Sequence, residues 1–263
     1  MNVLDLFSGI GGFSLGLERA GMRTIAFCEI EPFCRAVLRK HWPDVPQYND
    51  VRTLTAERLK QDGIGPIDLI CGGFPCPDIS IAGINQSGGR LGLDGYRSGL
   101  WEEQRRIIGD FRPSYALVEN VSAILSGDNG AWLGRLLRDL AEIGYDAEWH
   151  CIPASAVGAP HRRDRIWIVA YPNSKGVERS RTPIYLIKAG AWGWDSKRDF
   201  QALCDAPFEP RNNRWPQPII RRMDDGIRNR VERLRAMGNA VVPQIPEIIG
   251  KAILEAERLT KCE

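Results

Sequence analysis

A cysteine between two prolines is the first residue in this sequence whose surroundings suggest chemistry. Cys76 lies in the segment Gly72-Gly73-Phe74-Pro75-Cys76-Pro77, directly after a short apolar run at residues 67–71. This spacing puts a thiol just beyond the carboxyl end of a predicted strand, where open α/β sheets bind their substrates. The prolines restrict the backbone, and the five glycines within residues 78–98 are typical of a mobile loop over an active site. A buried structural cysteine would account for neither feature, so we predict that Cys76 is a nucleophile.

Charged residues flank two other predicted strands, and the first of them, Glu119, would lie at the same edge of the sheet as Cys76. Glu119 follows the apolar run 115–118, and Arg162, Arg163 and Arg165 lead into the run 166–170. A carboxyl group can act as a general acid, and arginines can hold a phosphate or the edge of a base. Taken singly, each of these groups is more often part of a surface ion pair.

A glycine-rich turn near the N-terminus indicates a place where a ligand can approach the backbone. Gly9, Gly11 and Gly12 separate the apolar run 3–7 from a helical pattern. Glu29 lies 20 residues beyond Gly9, at the end of a second predicted strand, where a carboxylate can bind ribose hydroxyls. The turn therefore favours an adenosine-containing cofactor, although its spacing is not the dinucleotide-binding G-x-G-x-x-G. A tight strand–helix turn without a ligand remains the alternative.

Alternating strands and helices must position these groups. Apolar runs at residues 3–7, 24–28, 67–71 and 115–118 are separated by helical patterns, a helix is predicted over 132–143, and a final helix over 243–259 is expected to pack back on the same domain. This alternation predicts an α/β fold with right-handed βαβ units, a parallel sheet and helices on both faces.

The regular pattern ends at about residue 171, where a proline-rich segment begins. We predict a catalytic domain at residues 1–170 and 236–263 and a small irregular domain at 171–235. Residues 161–235 carry 17 Lys and Arg against 9 Asp and Glu, within a chain whose net charge is +2. A basic segment in an otherwise acidic chain indicates a polyanionic partner, but a solvated charged surface would give the same count.

Composition excludes several classes of protein. With 43% hydrophobic and 26% charged residues among 263, the chain is globular rather than disordered or fibrous. No apolar run reaches the roughly 18 residues of a membrane helix, and the first residues do not read as a signal peptide, so we expect a soluble intracellular protein. The seven cysteines include no C-x-x-C pair and there are only three histidines, which argues against a disulfide framework or a structural zinc site.

Together, and in this order along the chain, the motifs resemble those of the DNA (cytosine-5)-methyltransferases. The matching segments are Asp5-Leu6-Phe7-Ser8-Gly9-Ile10-Gly11-Gly12, Pro75-Cys76, Glu119-Asn120-Val121, Arg162-Arg163-Asp164-Arg165 and Gly238-Asn239-Ala240-Val241-Val242-Pro243. The resemblance covers most of the chain outside the proline-rich segment. It implies a Rossmann-like sheet that binds S-adenosylmethionine, joined to a small irregular target-recognition domain.

The resemblance also implies a reaction and a role for each site residue. Cys76 would add to C6 of a flipped-out cytosine in duplex DNA, Glu119 would donate to N3, and Arg163 and Arg165 would hold O2 and a nearby phosphate. The implied contacts to S-adenosylmethionine, whose product is S-adenosylhomocysteine, are Phe7, Gly9, Gly11, Glu29, Asp50, Leu100 and Asn239. The candidate DNA contacts are Arg162, Arg221, Arg222, Arg228 and Arg230, and no metal is implied.

Such an enzyme would act as a monomer on double-stranded DNA in the cytoplasm of a bacterial or phage-infected cell, with a cognate restriction endonuclease as a candidate partner. Two alternatives stay open: a relative that methylates RNA, and a catalytically silent DNA-binding protein on the same scaffold. The RNA-directed branch typically carries Cys-Phe-Thr, which is absent here, and a silent protein need not keep Cys76, Glu119 and the arginines together. A nicotinamide dehydrogenase is disfavoured because the dinucleotide fingerprint is missing.

Overall fold

Seven β-strands form one central sheet in the computed structural model, which describes residues 1–75, 99–173 and 230–260. The strands are β1 Asn2–Leu6, β2 Arg23–Cys28, β3 Gln47–Tyr48, β4 Leu69–Gly72, β5 Tyr115–Val121, β6 Tyr145–Pro153 and β7 Asp164–Pro172. The α-helices of the described residues are α1 Gly12–Arg19, α2 Pro32–His41, α3 Ala56–Gln61, α4 Leu100–Phe111, α5 Ala131–Glu142, α6 Arg230–Asn239 and α7 Gln244–Thr260. In the described part of the chain, no helix is long and apolar enough to cross a membrane.

The sheet has the strand order β3-β2-β1-β4-β5-β7-β6, and the predicted α/β class is confirmed. Parallel pairing joins β3, β2, β1, β4 and β5, but β7 is antiparallel to both β5 and β6. The prediction of a wholly parallel sheet was therefore wrong at β7. It also missed β6, because Asp146, Glu148 and His150 alternate along this edge strand and leave no apolar run.

The strand that carries Glu119 is longer than the sequence indicated. Strand β5 continues through Val121, because the antiparallel β7 pairs with it over its whole second half, with Glu119 opposite Trp167 and Val121 opposite Arg165. Arg165 likewise lies inside β7 rather than before it. The two charged residues are thus held on neighbouring strands, two positions apart in the ladder.

Helices cover both faces of the sheet, as predicted. One face packs against α3, α4 and α5 through residues such as Leu59, Ile107 and Leu136, all fully buried. The other face packs against α1 and α7 through Leu17 and Ile253. The final helix therefore does pack back on the sheet, as predicted. Strand β7 runs to Pro172 and α6 begins at Arg230, while most of the predicted small domain lies outside the described residues.

Two glycines on α1 let the segment before α7 cross the helix so closely that the two backbones are in contact. A Cβ on Gly12 would lie 2.6 Å from the carbonyl oxygen of Val241, and one on Gly16 would lie 2.2 Å from that of Pro243. Backbone oxygens cannot move aside as a flexible side chain can. Gly12, which we predicted to let a ligand approach the backbone, thus has a packing role, because it lets the segment before α7 lie against α1.

Gly16→Ala should therefore destabilise the protein. We expect a loss of about 1–3 kcal/mol in the free energy of unfolding, because the added methyl group overpacks the contact with Pro243. Urea denaturation measures this loss. The matched control is Gly134→Ala on α5, where no atom lies within 4 Å of the new Cβ and the better helix former should stabilise by roughly 0.5–1 kcal/mol. Equal stability of Gly16→Ala and the parent would show that the segment can move off α1.

Candidate active site

The carboxyl ends of β1 and β4 lie side by side in the middle of the sheet. From β1 the chain turns through α1 to β2 on one side, while β4 is followed by β5 on the other. The strand order reverses between these two strands, which is where open α/β sheets bind ligands. The predicted site residues fall on both sides of this point, with Phe7, Gly9 and Glu29 on one side and Glu119 and Arg165 on the other.

Glu29 fastens the glycine-rich turn to the end of β2. Its Oε2 accepts a hydrogen bond of 2.7 Å from the backbone N–H of Gly9, and its Oε1 accepts one of 2.8 Å from Glu31. The carboxylate is buried, and burial raises its pKa despite these bonds. Each oxygen keeps a further lone pair, and among the described residues no atom lies within 4 Å of where a Cβ on Gly9 would be. The Glu29 carboxylate is thus a fixed hydrogen-bond acceptor that lies next to open space beside Gly9.

The backbone of the same turn is strained. Phe7 has φ = 52°, in the left-handed region that non-glycine residues rarely adopt. Such conformations cost of order 1–3 kcal/mol and cluster at functional sites. At Gly11, where φ = 86°, packing also requires glycine, because a Cβ there would lie 2.6 Å from the Trp42 ring. The prediction of a cofactor contact at Gly11 stays a prediction.

A buried carboxyl under this turn was not among the predicted site residues. Asp5 is fully buried, and its Oδ2 accepts a 2.6 Å hydrogen bond from the Ser14 hydroxyl. Burial raises the pKa of Asp5 to about 7. Its Oδ1 is buried without a hydrogen-bond partner among the described residues. The available signal was an acidic residue within an apolar strand, which is rarely placed there without a reason.

The loop after β2 presents an exposed apolar side chain that sequence reasoning also missed. Ile30 is 57% exposed, between Glu29 and Glu31. The Nη1 of Arg35 donates to the carbonyl oxygens of Glu29 and Ile30, at 3.0 and 2.6 Å, and so fixes this loop. An exposed aliphatic group beside a carboxylate at a strand end provides a flat apolar surface that a purine could cover.

The remaining predicted cofactor residues lie in three different settings. The carboxylate of Asp50 is held by Arg52, with an ion-pair distance of 3.0 Å, and this hydrogen bonding lowers the pKa of Asp50. Leu100 begins α4 and is half-buried against the core. Asn239 ends α6 and is exposed.

Glu119 and the arginines of β7 form the other half of the site. The Nε of Arg165 lies 3.0 Å from Glu119 Oε1, and the Nη2 of Arg163 donates to the carbonyl oxygen of Ala240 at 3.0 Å. The Glu119 side chain is 13% exposed. Its pKa is raised because burial outweighs the two arginines, which act in the opposite direction. The raised pKa agrees with the role of a proton donor. Arg162 is exposed and pairs with Asp164 at 2.9 Å.

The segment after β4 is anchored beside Glu119. A Cβ on Gly73 would lie 2.7 Å from Glu119 Oε2, so only glycine leaves room for the carboxyl group. The side-chain amide of Asn120 donates to the carbonyl oxygen of Phe74 at 3.2 Å, which ties this segment to β5. Cys76 itself lies outside the described residues, as do Arg221, Arg222 and Arg228, and the side chain of Arg230 is not described.

The described cysteines are poor nucleophiles. Burial raises the pKa of Cys28 to about 12 and that of Cys34 to about 11, and it also raises those of Cys71 and Cys151. A reactive thiol needs the opposite, a depressed pKa in a polar setting. Within residues 1–75, 99–173 and 230–260, no group of three His, Cys, Asp or Glu side chains is placed to hold a metal ion.

Arg163 lines a cavity of about 410 Å³. It lies between the loop 157–161 with Arg163 and the segment 240–244 with Met237. His161 and Arg163 supply its polar wall, and Val241 and Val242 contribute apolar surface. The cavity opens beside the residues predicted to hold the target nucleotide.

Comparison with known proteins assigns the fold and the family. The model of the C-5 cytosine-specific DNA methylases matches residues 1–207, and the chain belongs to this family. It is 37% identical over 174 residues to the type II methyltransferase M2.BsuMI of Bacillus subtilis, and 31% identical over 171 residues to M.DsaV of Dactylococcopsis salina. Each match covers 65% of this chain, but only 42% and 46% of the relatives. The chain thus spans less than half the length of either relative.

A solved structure supports the fold over nearly the whole chain. The Entamoeba histolytica methyltransferase EhMeth superposes with a TM-score of 0.63 over 97% of this chain and 98% of its own, at 14% identity. At that identity the likeness concerns the fold alone. The Rossmann-like methyltransferase sheet that the sequence predicted is confirmed.

Proposed function

We propose that this chain transfers a methyl group from S-adenosylmethionine to C5 of cytosine in duplex DNA. The observation that carries the proposal is the pairing of Glu119 with Arg165, 3.0 Å apart, beside the anchored segment that leads to Cys76. A buried acid and a fixed cation thus lie beside the segment 73–75, which leads in the sequence to the predicted nucleophile. The relatives of this chain are named type II methyltransferases, which agrees with a DNA substrate.

The cofactor half of the site fits an adenosine-containing sulfonium compound. Glu29 has free lone pairs for ribose hydroxyls, Ile30 offers an apolar surface for adenine, and the space beside Gly9 admits a ligand. Phe7, Leu100, Asp50 and Asn239 are proposed as further contacts, with the Asp50 carboxylate shared between Arg52 and the adenine amine. When bound, S-adenosylmethionine supplies an electrophilic methyl group.

The reaction then depends on this chain's own groups. Cytosine C5 is a weak nucleophile, so the Cys76 thiolate first adds to C6, while Glu119 donates a proton to N3 and accommodates the charge. Arg165 and Arg163 hold O2 and a phosphate, which keeps C6 in line with the sulfur. After C5 has taken the methyl group, its proton passes to water, the C5=C6 bond reforms as the thiolate leaves, and N3 returns its proton to Glu119.

The target base must leave the helix for this chemistry. Unstacking a cytosine costs a few kcal/mol, which contacts to the displaced backbone must offset. We assign this task to the basic residues of the proposed recognition domain, 171–235, and to Arg162.

We further propose that the chain acts as a monomer in the cytoplasm of a bacterial or phage-infected cell, alongside a restriction endonuclease of the same specificity.

Reversing the charge of Arg221 and Arg222 should weaken binding to DNA. If both arginines contact phosphates, Arg221→Glu with Arg222→Glu lowers the slope of log affinity against log salt by about 2. Fluorescence anisotropy with a duplex over a range of salt concentrations measures this slope. Arg258→Glu, on the exposed face of α7, is the control and should leave the slope unchanged. Equal slopes for all three proteins would mean that Arg221 and Arg222 do not contact DNA.

A methyl-transfer assay tests the proposal as a whole. Tritium from labelled S-adenosylmethionine should be incorporated into unmethylated genomic DNA and not into transfer RNA. Bisulfite sequencing of the product should place the methyl groups at cytosines in one short sequence context. Incorporation into RNA alone would favour the RNA-directed alternative, and binding of both ligands without incorporation would favour the silent scaffold.

A further inference from the structure

Helix α6 lies on the surface between the two halves of the candidate site. Of the α6 side chains that the structure describes, Ala236 alone is buried. Val231, Leu234 and Met237 are all exposed. Because α6 buries so little of its own surface, the polar contacts that connect it to the site matter for its position, and two of them are made by Arg235 and by Ala240, the residue after the helix.

The first of these contacts reaches the cofactor half. The Nη2 of Arg235 lies 3.3 Å from Oε1 of Glu31. Glu31 is the residue that caps α2, and its backbone N–H donates to Glu29 Oε1. The carboxylate that pairs with Arg235 and the N–H that orients the Glu29 carboxylate therefore belong to the same residue, Glu31.

The second contact reaches the catalytic half. Five residues beyond Arg235, the carbonyl oxygen of Ala240 accepts the 3.0 Å hydrogen bond from Arg163. Asn239, a proposed cofactor contact, lies between these two points. The segment from Arg235 to Ala240 thus touches the loop that presents Glu29 and also the arginine predicted to hold the target nucleotide.

We propose that Arg235 is a positioning residue for the cofactor site. Its ion pair with Glu31 holds α6 against the loop 29–31 and so keeps Glu29 and Asn239 at a fixed separation. The inference rests on the proposed function, because it gives Glu29 the role of binding ribose. It does not require Arg235 to touch the cofactor.

A double-mutant cycle on Arg235 and Glu31 tests the inference. The affinity for S-adenosylhomocysteine is measured by calorimetry for Arg235→Ala, Glu31→Ala and the double variant. The side chains are 64% and 47% exposed, and exposed ion pairs contribute little, so each single change should weaken binding by about three-fold. The double variant should be no weaker than either single variant. Arg235→Lys, which keeps the charge, should recover part of the loss.

The matched control breaks an ion pair of similar exposure elsewhere. Arg258 pairs with Glu255 on α7, with side chains 63% and 40% exposed, and Arg258→Ala should leave the affinity unchanged. A three-fold loss in this control, or additive losses in the cycle, would overturn the role of the Arg235 pair.

Amide hydrogen exchange without any ligand provides a second readout. The N–H groups of Gly9 and Glu31, which both donate to Glu29, should exchange faster in Arg235→Ala and Glu31→Ala than in the parent. Unchanged exchange in a chain that binds S-adenosylhomocysteine overturns the inference alone. Failure of the parent chain to bind this compound instead defeats the proposed function, and with it the cofactor role of Arg235.

Discussion

If the Cys76 thiol is the nucleophile, Cys76→Ser should lower the rate of methyl transfer by at least ~10⁴-fold. The affinity for S-adenosylhomocysteine should stay within two-fold of the parent. A serine hydroxyl is almost wholly protonated near neutral pH and adds poorly to C6. The proposed contacts Phe7, Gly9 and Glu29 follow β1 and β2, and no proposed contact to the cofactor involves the sulfur, so binding should not depend on it. Single-turnover transfer and calorimetry measure the two effects separately.

The matched control for this substitution is another cysteine to serine change. Cys151, on β6, is half-buried, and burial raises its pKa, so Cys151→Ser should retain most of the transfer rate. If Cys76→Ser still turned over at a rate comparable with the parent, the covalent route would be excluded and Cys76 would lose its role.

Glu119→Gln should slow the chemical step by about 10²-fold or more. Glutamine keeps the size of the side chain, but it cannot transfer a proton to N3 and it forfeits the 3.0 Å ion pair with Arg165. Because Glu119 lies on β5, away from the cofactor loops, the affinity for S-adenosylhomocysteine should not change. An unchanged single-turnover rate would remove Glu119 from the mechanism.

The raised pKa of Glu119 also sets the direction of the pH dependence. Burial favours the protonated, neutral carboxyl group, and this is the form that donates to N3. The parent should therefore lose single-turnover activity as pH rises through the raised pKa.

The folded state binds this proton more tightly than the unfolded chain, so the contribution of Glu119 to the free energy of unfolding falls as pH rises above the ordinary value of 4.5. Glu119→Gln should flatten both trends, and parallel profiles for the two proteins would point to another group.

The parts of the fold that follow a local rule could be predicted from the sequence. Strands β1, β2 and β4 are buried on both faces and appear as apolar runs, and α1 and α7 carry a clear helical period. Strand β6 has no such signal because it lies at the edge, and the reversal of β7 follows from its pairing with β6. Helix α6 could not be found from apolar periodicity, since it buries almost nothing.

The same distinction applies to the site. Glu119 and Arg165 flank predicted strands, and the order of the motifs along the chain was the feature of the sequence that assigned both to one site. The reasons for Gly73 and Gly11 lie in tertiary contacts, with the Glu119 carboxyl group and the Trp42 ring, that no local pattern encodes. The Arg235–Glu31 pair joins residues about two hundred positions apart and is likewise visible only in the folded chain.

Trapping the covalent adduct tests the central claim most directly. DNA in which 5-fluorocytosine replaces cytosine can accept the thiolate at C6 and the methyl group at C5, but the fluorine cannot leave as a proton does, so the C6–sulfur bond should persist. Incubation with S-adenosylmethionine, digestion and mass spectrometry should find the methylated fluorocytosine nucleotide on the peptide that contains Cys76, and no adduct with Cys76→Ser. An adduct on a different cysteine, or methylated DNA from the parent without any adduct, would contradict the mechanism.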